Sequence, residues 1–376
     1  MVIGIDASSA TFGGGRVYCI ELLKNWLSLE QSNFKLVVFG PRTLLSELPS
    51  HTRLEKYRSE LFEGGVFYRV AWQLFCSFFV LRRVKCNLLF VTGGFYVGAF
   101  RPFVVVNQNL LPFDEICLSR YSGSALYVKY LVLKHIQLNS IRRSNGVIFL
   151  TDAARRLVAS SGVVLPDFVK IVSHGLNSRF KNVAKRREFS PSTHKIRVVY
   201  PSTLDLYKNQ DVVIEAVSLL RKEGVDADLY LIGPSTRLGY AAMVDAIAKY
   251  DPSQCWVNYV GEASYHDFEM VLGSYDVGIW ASSCETFGMV LLEMMAVGLP
   301  VAVAESPAAV ELTHGKLKYF NSRSAVEAKD ALKQLITNDR YRFETVNFGI
   351  DLSKCFSWNN SAQLTFEFLM DVLNEK

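Results

Sequence analysis

Asp276-Val277-Gly278-Ile279-Trp280 leads, two residues later, into Ser282-Ser283-Cys284-Glu285-Thr286-Phe287-Gly288 and then Met289-Val290-Leu291-Leu292-Glu293-Met294-Met295-Ala296-Val297-Gly298-Leu299-Pro300. The first run is short and apolar without alternation, which suits a strand covered on both faces of a parallel sheet. A polar turn follows and becomes an apolar helix. Gly298-Leu299-Pro300 ends that helix and returns the chain to a further strand, Pro300 to Ala304. Strand, helix and strand in this order make the repeating unit of an α/β sheet.

The same alternation runs from end to end. Earlier β-branched runs are Val2–Asp6, Lys35–Phe39, Leu88–Val91, Phe103–Asn107, Gly146–Thr151 and Lys170–Ser173; later ones include Arg197–Pro201, Asp228–Gly233 and Trp256–Gly261. A chain of 376 residues is long enough for two cores. The expected fold class is therefore α/β, with two Rossmann-like domains. Asn177 to Lys195 is polar and basic (Arg179, Lys181, Lys185, Arg186, Arg187, with Pro191 and Ser192). The division follows as residues 1–180, a linker at 181–195, a second domain at 196–355 and a terminal helix at 356–376. That helix carries apolar residues at helical spacing from Ala362 to Leu373 and is expected to pack back towards the first domain.

With 50% hydrophobic and 20% charged residues, disorder and fibrous or disulfide-stapled folds are excluded. The seven cysteines form no C-x-x-C pair and read as reduced, mostly buried thiols. Residues 1–194 hold 25 Lys/Arg against 12 Asp/Glu, and the remainder 16 against 24. A basic half beside an acidic half points the first towards an anionic membrane surface or a phosphorylated acceptor. Two segments interleave aromatic and basic residues, Phe67 to Arg83 and Tyr127 to Arg143, which suits either a bilayer edge or core helices with snorkelling ends. The start Met1 to Asp6 lacks the basic and apolar regions of a secretory signal, and Val66 to Val80 is shorter than the roughly 20 residues of a spanning helix. The expected location is cytoplasmic, or peripheral on the inner face of the cytoplasmic membrane.

Glu285 and Glu293 are eight apart, two turns or about 12 Å along a helix, close to the reach of a sugar, a diphosphate and a ribose. Backbone amides of Gly288, Met289 and Val290 at the helix start could hold phosphates between carboxylates that grip hydroxyls at either end. Read without their flanks, Glu285 as a helix cap and Glu293 as a solvated side chain is the favoured reading. Asp6, the turn Thr11-Phe12-Gly13-Gly14-Gly15 and a helix from Val17 to Trp26 offer a second anion-binding arrangement. The G-x-G-x-x-G spacing is absent, and a simple tight turn explains the glycines as well. Asp226-Ala227-Asp228 is the one D-x-D, and the six histidines form no cluster, so no metal is expected to be required.

The run Glu285 to Pro300 resembles the donor-site motif of retaining glycosyltransferases of the GT-B fold, particularly glycosyltransferase family 4 with its E-x7-E signature. Gly13-Gly14 in the first loop, Lys208 after the first strand of the second domain and the Val260-Gly261-Glu262 turn fall in that family's order. The resemblance implies an acceptor-binding domain and a nucleotide-sugar-binding domain facing each other across a cleft. It implies catalytic roles for Glu285 and Lys208, and donor contacts from Glu293, Gly288, Met289, Val290, Phe287, Thr203, Gly13 and Gly14. It further implies that no cofactor is needed beyond a UDP- or GDP-sugar as donor substrate. Two departures stand out. Thr203 occupies the place of a usual arginine, and Gln108-Asn109 the place of a histidine and aspartate that line the cleft near the reacting sugar. Amides can position hydroxyls but cannot act as general bases.

The implied activity is transfer of a sugar to an acceptor hydroxyl in bacterial cell-surface polysaccharide assembly, of the O-antigen or lipopolysaccharide type, on a saccharide acceptor carried by a lipid. The alternatives are a nucleotide-sugar epimerase or hydrolase on the same framework, or a non-catalytic sugar-nucleotide-binding subunit.

Overall fold

Apolar runs without alternation can only be satisfied between two helical layers, and the computed structural model places each of those runs in a parallel sheet. It describes residues 1–11, 13–29, 34–183 and 195–375. Two compact units result. The first comprises 1–118, 122–175 and 357–376, and the second 119–121 and 176–356.

In the first unit, β1 (Val2–Asp6), β2 (Lys35–Phe39), β3 (Leu54–Tyr57), β4 (Leu88–Val91), β5 (Phe103–Asn107), β6 (Gly146–Phe149) and β7 (Phe168–Ile171) form one sheet of order β3-β2-β1-β4-β5-β6-β7. In the second, β8 (Ile196–Pro201), β9 (Ala227–Ile232), β10 (Val257–Gly261), β11 (Val277–Trp280), β12 (Val301–Ala304) and β13 (Tyr319–Phe320) take the order β10-β9-β8-β11-β12-β13. Both orders reverse beside the first strand, as in doubly wound nucleotide-binding sheets. The strands of both sheets pair in parallel throughout the described registers.

Differences from the sequence reading lie at edges. β3 reads Leu-Glu-Lys-Tyr and is half exposed, so it needs no continuous apolar run. β7 lies two residues earlier than Lys170–Ser173, fixed by Gly146 opposite Phe168. β6 stops at Phe149 because Thr151 leaves to cap the helix Asp152–Ala159, its hydroxyl accepting from the Ala154 amide at 3.1 Å.

The terminal helix Trp358–Asn374 belongs to the first unit. It lies along the helix Gly13–Ser28, where the Trp26 indole donates to the Ala362 carbonyl at 2.7 Å. A Cβ on Gly146 would stand 3.0 Å from the Phe368 ring, so β6 and this helix approach closely because that position is glycine. Of the linker residues, Arg179 and Lys181 sit in a short helix, Ser178–Asn182, of the second unit. Lys185, Arg186, Arg187, Pro191 and Ser192 lie outside the described residues.

All seven cysteines are free; Cys19, Cys117 and Cys284 are buried, Cys76 and Cys86 half-buried, and Cys255 and Cys355 exposed. Among the described residues no helix is long and apolar enough to cross a membrane.

Candidate functional site

Where strand order reverses, the loops after two neighbouring strands splay apart and leave a crevice at the carboxyl ends. In the second sheet these are β8 and β11, paired through Val198 and Val277. The loop after β8 carries Thr203 and Lys208; the loop after β11 carries Glu285. This adjacency brings together two residues 77 apart in sequence: the Lys208 ammonium donates to Glu285 Oε1.

The scaffold around the pair is closely specified. Asp205 accepts from the Leu206 amide at 2.8 Å and from the Tyr121 hydroxyl at 2.5 Å, and the Tyr200 hydroxyl donates to the Lys208 carbonyl at 2.6 Å. Asn209 sits in the left-handed region (φ 56°, ψ 40°), fully buried. There its amide donates to the Ala281 carbonyl and to Ser283 Oγ, each at 2.7 Å. Asn is among the few residues that accept this backbone without heavy strain. Arg120 donates to the Asn209 side-chain oxygen, and the Ser283 amide bonds the Tyr207 carbonyl at 2.9 Å. The two loops are thereby tied into one rigid floor beneath Lys208 and Glu285. Lys208 and Glu285 side chains retain 11% and 20% exposure, enough for a ligand to reach them.

The helix after β11 spans Met289–Ala296, shorter at its start than a helix containing Glu285. Glu285 stands in the loop before the helix, so the 12 Å taken from helical spacing does not apply to the two glutamates; the N-cap is Gly288 at φ 100° without a side-chain cap. Gly288 takes that φ because it has no Cβ. The amides of Met289 and Val290 fall in the first turn, where helix geometry supplies no intrahelical acceptor. Glu285 is therefore neither a helix cap nor a solvated side chain. Phe287 is buried with its ring 5.6 Å from that of Phe356.

Glu293 is buried at 2% exposure on an otherwise apolar helix. Its Oε1 accepts from the Tyr265 hydroxyl at 2.9 Å. Burial pushes its carboxyl up to about 7; the Tyr265 bond and the Arg179 charge oppose the rise, and Glu269 adds to it. Arg179 faces the Tyr265 ring at 4.4 Å, donates to the carbonyls of Tyr265 and His266, and stands 3.2 Å from Glu269. Tyr265, Arg179 and Asn209 are site residues that the sequence reading missed. Asn209 had a local signal, an Asn directly before a helix; Tyr265 and Arg179 reach Glu293 only through the tertiary fold.

Thr203 is half-buried, its carbonyl accepting from the Gln210 amide at 3.0 Å. In the first unit, Gly13 and the exposed Gly14 open the helix Gly13–Ser28. A Cβ on neighbouring Gly15 would stand 3.4 Å from Gln108 Oε1, so the glycine turn and Gln108 share one sheet edge. Gln108 Nε2 is buried without a hydrogen-bond partner, as are both polar side-chain atoms of Asn107. Asn109 accepts from the Leu111 amide at 3.2 Å and so shapes the turn before Pro112. At the end of β1, buried Asp6 accepts from Ser8 and from Gln73; burial raises its carboxyl, and those bonds oppose the rise.

Among the described residues no group of three or more His, Cys, Asp or Glu side chains could hold a metal ion. Asp226 and Asp228 are engaged by Arg221 at 3.1 and 3.7 Å, and Asp228 by Lys195 at 2.9 Å.

Residues 182–349 match the family model described as Glycosyl transferases group 1. Two curated relatives are D-inositol 3-phosphate glycosyltransferases. The one from Corynebacterium aurimucosum is 26% identical over 52% of this chain and 50% of its own, and the one from an Arthrobacter species is 23% identical over 60% and 58%. The chain thus spans about half the length of the curated relatives it matches. Among solved structures, Anabaena HepE in complex with UDP and glucose superposes with a TM-score of 0.71 at 18% identity, covering 98% of this chain and 99% of that one. Sucrose-phosphate synthase from Thermosynechococcus elongatus gives 0.77 at 12% identity with both chains covered in full. WaaG, a glycosyltransferase involved in lipopolysaccharide biosynthesis, gives 0.71 at 13%, with 98% and 99% covered. The fold is that of GT-B glycosyltransferases, two parallel-sheet Rossmann-like domains.

Proposed function

We propose that this protein is a retaining, metal-independent glycosyltransferase of family 4 that moves a sugar from a nucleoside diphosphate sugar to an acceptor hydroxyl. The observation that carries this reading is the Lys208–Glu285 pair at the strand-order reversal, directly before a helix that holds buried Glu293. An ammonium has three donors, so Lys208 can hold Glu285 and a diphosphate oxygen together. Departure of the diphosphate is the demanding step, and Lys208 with the amides of Gly288, Met289 and Val290 would stabilise its growing charge. Glu285 then accepts from hydroxyls of the transferred sugar, and Glu293 from the ribose. Thr203 adds a hydroxyl where relatives carry a cation, which leaves Lys208 as the principal positive group. The acceptor attacks on the face the leaving group vacates, and the departing diphosphate takes its proton.

The UDP bound by Anabaena HepE favours a UDP-sugar over a GDP-sugar as donor. The lipopolysaccharide role of WaaG favours a lipid-linked saccharide acceptor in cell-surface polysaccharide assembly, with Gln108 and Asn109 positioning its hydroxyls. A thermal-shift screen across UDP-, GDP-, ADP- and TDP-sugars tests the reading, because ligand at 100 times its Kd adds about 2.7 kcal/mol of stability. Stabilisation by one nucleotide class, followed by acceptor-dependent transfer unaffected by EDTA, is expected. Absence of any shift sinks the donor site; turnover without acceptor marks an epimerase or hydrolase instead.

A further inference from the structure

Residues 66–83 of the first unit fold as a helix, Val66–Ala71, a π-helical turn, Trp72–Cys76, and a second helix, Ser77–Arg83. One side of this segment is fastened to the sheet. Gln73 donates to Asp6 at 2.9 Å and accepts from the Val97 amide at 3.2 Å, Ser77 and Tyr96 share a hydrogen bond of 2.7 Å, and the Trp72 ring lies 5.0 Å from that of Phe62. The other side is apolar and bare: Phe67 is 90% exposed, Phe75 72% and Phe79 71%, with Tyr68 and Leu74 also exposed. Phe75, Phe79 and Arg82 recur at helical spacing, so the rings and the exposed Arg82 and Arg83 lie along one stripe.

Exposed rings in such number are not ordinary surface, since Gln73 and Ser77 face inward while Phe67, Phe75 and Phe79 face out. The charge around them identifies the occupant. Residues 64–113, all in the first unit, hold five Lys/Arg (Arg69, Arg82, Arg83, Lys85 and Arg101) and no Asp or Glu. Two copies of so basic a face would repel one another, whereas an anionic lipid surface satisfies both the cations and the rings. We infer that the Val66–Arg83 segment is a docking surface for an anionic bilayer, with Phe67, Phe75 and Phe79 entering the headgroup boundary and Arg82 and Arg83 on the phosphates.

The inference is independent of sugar transfer, because vesicle binding and nucleotide-induced stabilisation are read separately. The test is cosedimentation of the full chain with phosphatidylcholine vesicles, with and without phosphatidylglycerol. Binding to the anionic vesicles at low salt, weakened by salt and poor on neutral ones, is expected. Replacing both Arg82 and Arg83 by Glu should weaken it about tenfold or more. The Phe75→Ser/Phe79→Ser double variant should lose the salt-resistant remainder, and Phe343→Ser, on the second unit, should bind as the parent does. All these side chains are exposed, and unchanged melting temperatures verify that each variant folds. A parent protein that stays in the supernatant at low salt overturns the proposal. So does a Phe75→Ser/Phe79→Ser protein that binds normally, or a parent dimer that these two changes split without any vesicle binding, which would make a second copy the occupant.

Discussion

The Tyr265 hydroxyl donates to Glu293 Oε1 at 2.9 Å, tying the turn after β10 to the buried face of the helix after β11. A carboxylate on an apolar helix is costly unless it is hydrogen-bonded or protonated, and Glu293 stands between those two solutions. Its carboxyl is pushed to about 7, so near neutral pH it exists in both forms. The ionised form can accept from two vicinal hydroxyls of a ribose; the protonated form loses acceptor capacity.

Stability should report this directly. Glu293 has a folded value of about 7 against an ordinary 4.5, so between those values the folded chain binds more protons than the unfolded one. Its contribution is therefore fully present below pH 4.5, declines as pH rises to about 7, and is flat above. Glu293→Gln removes the titration, and its stability relative to the parent should improve with rising pH over that window, by on the order of 3 kcal/mol at most. Denaturant unfolding of both proteins at pH 5 and pH 8 checks it; a constant difference excludes the shift.

Tyr265→Phe should act through Glu293. Loss of a hydrogen bond to the charged form raises the carboxyl further and leaves more of it protonated at neutral pH. Nucleoside diphosphate should bind several-fold more weakly at pH 7 and recover towards the parent affinity above pH 8. Titration calorimetry at both pH values reads the change. A loss of affinity that is the same at all pH values would assign Tyr265 to direct ligand contact instead.

Much of the fold was legible because buried parallel strands need continuous apolar runs, and these recur from Val2 to Ala304. The half-exposed β3 and the two-residue β13 carry no such signature. Within the candidate site, Lys208, Glu285 and Glu293 could be singled out only through the resemblance of the run Glu285 to Pro300 to a family motif. Their partners could not, since Lys208 meets Glu285 across 77 residues and Tyr265 meets Glu293 across 28, distances that only strand order closes. The eight-residue spacing misled for a related reason: Gly288 starts the helix three residues after Glu285, so the two carboxylates do not share one helical face.

The loop that carries Thr203 and Lys208 depends on a close backbone approach. A Cβ on Gly239 would stand 2.2 Å from the Leu204 carbonyl oxygen, which is backbone and cannot swing aside. Gly239→Ala should destabilise by about 2–3 kcal/mol and lower turnover with it. At Gly273, the last residue of a helix, a Cβ meets nothing within 4 Å. Gly273→Ala should therefore be neutral or stabilise by about 0.4–1 kcal/mol. Thermal unfolding of the pair decides, and equal melting temperatures would contradict the packing argument.

Asn209 joins both loops through its side-chain bonds to Ala281 and Ser283, accepts from Arg120, and holds a left-handed backbone. Asn209→Ala removes the bonds and strains the backbone, at a cost of about 2–4 kcal/mol. Asn209→Gly relieves the strain alone and should fall between. If the residue positions Lys208, both variants should lower kcat even at temperatures where they are fully folded. A normal kcat in folded Asn209→Gly would limit it to stability.

Lys208 and Glu285 touch, so their effects on catalysis should not add. If Lys208 meets growing charge on the leaving group, as proposed, Lys208→Ala should lower kcat more than it raises the donor KM. Glu285→Ala also lowers kcat, by roughly 10- to 150-fold, the loss of one charged hydrogen bond. It also frees the ammonium that Glu285 holds, so Lys208 is left without its anchor and part of its contribution goes too. The double variant should then be better than the product of the two single effects, with a coupling of about 0.5–3 kcal/mol. Steady-state kinetics of the four proteins with one donor measure that coupling. Strictly multiplicative losses would mean that the two side chains act on separate parts of the reaction and that their ion pair belongs to the ligand-free state alone.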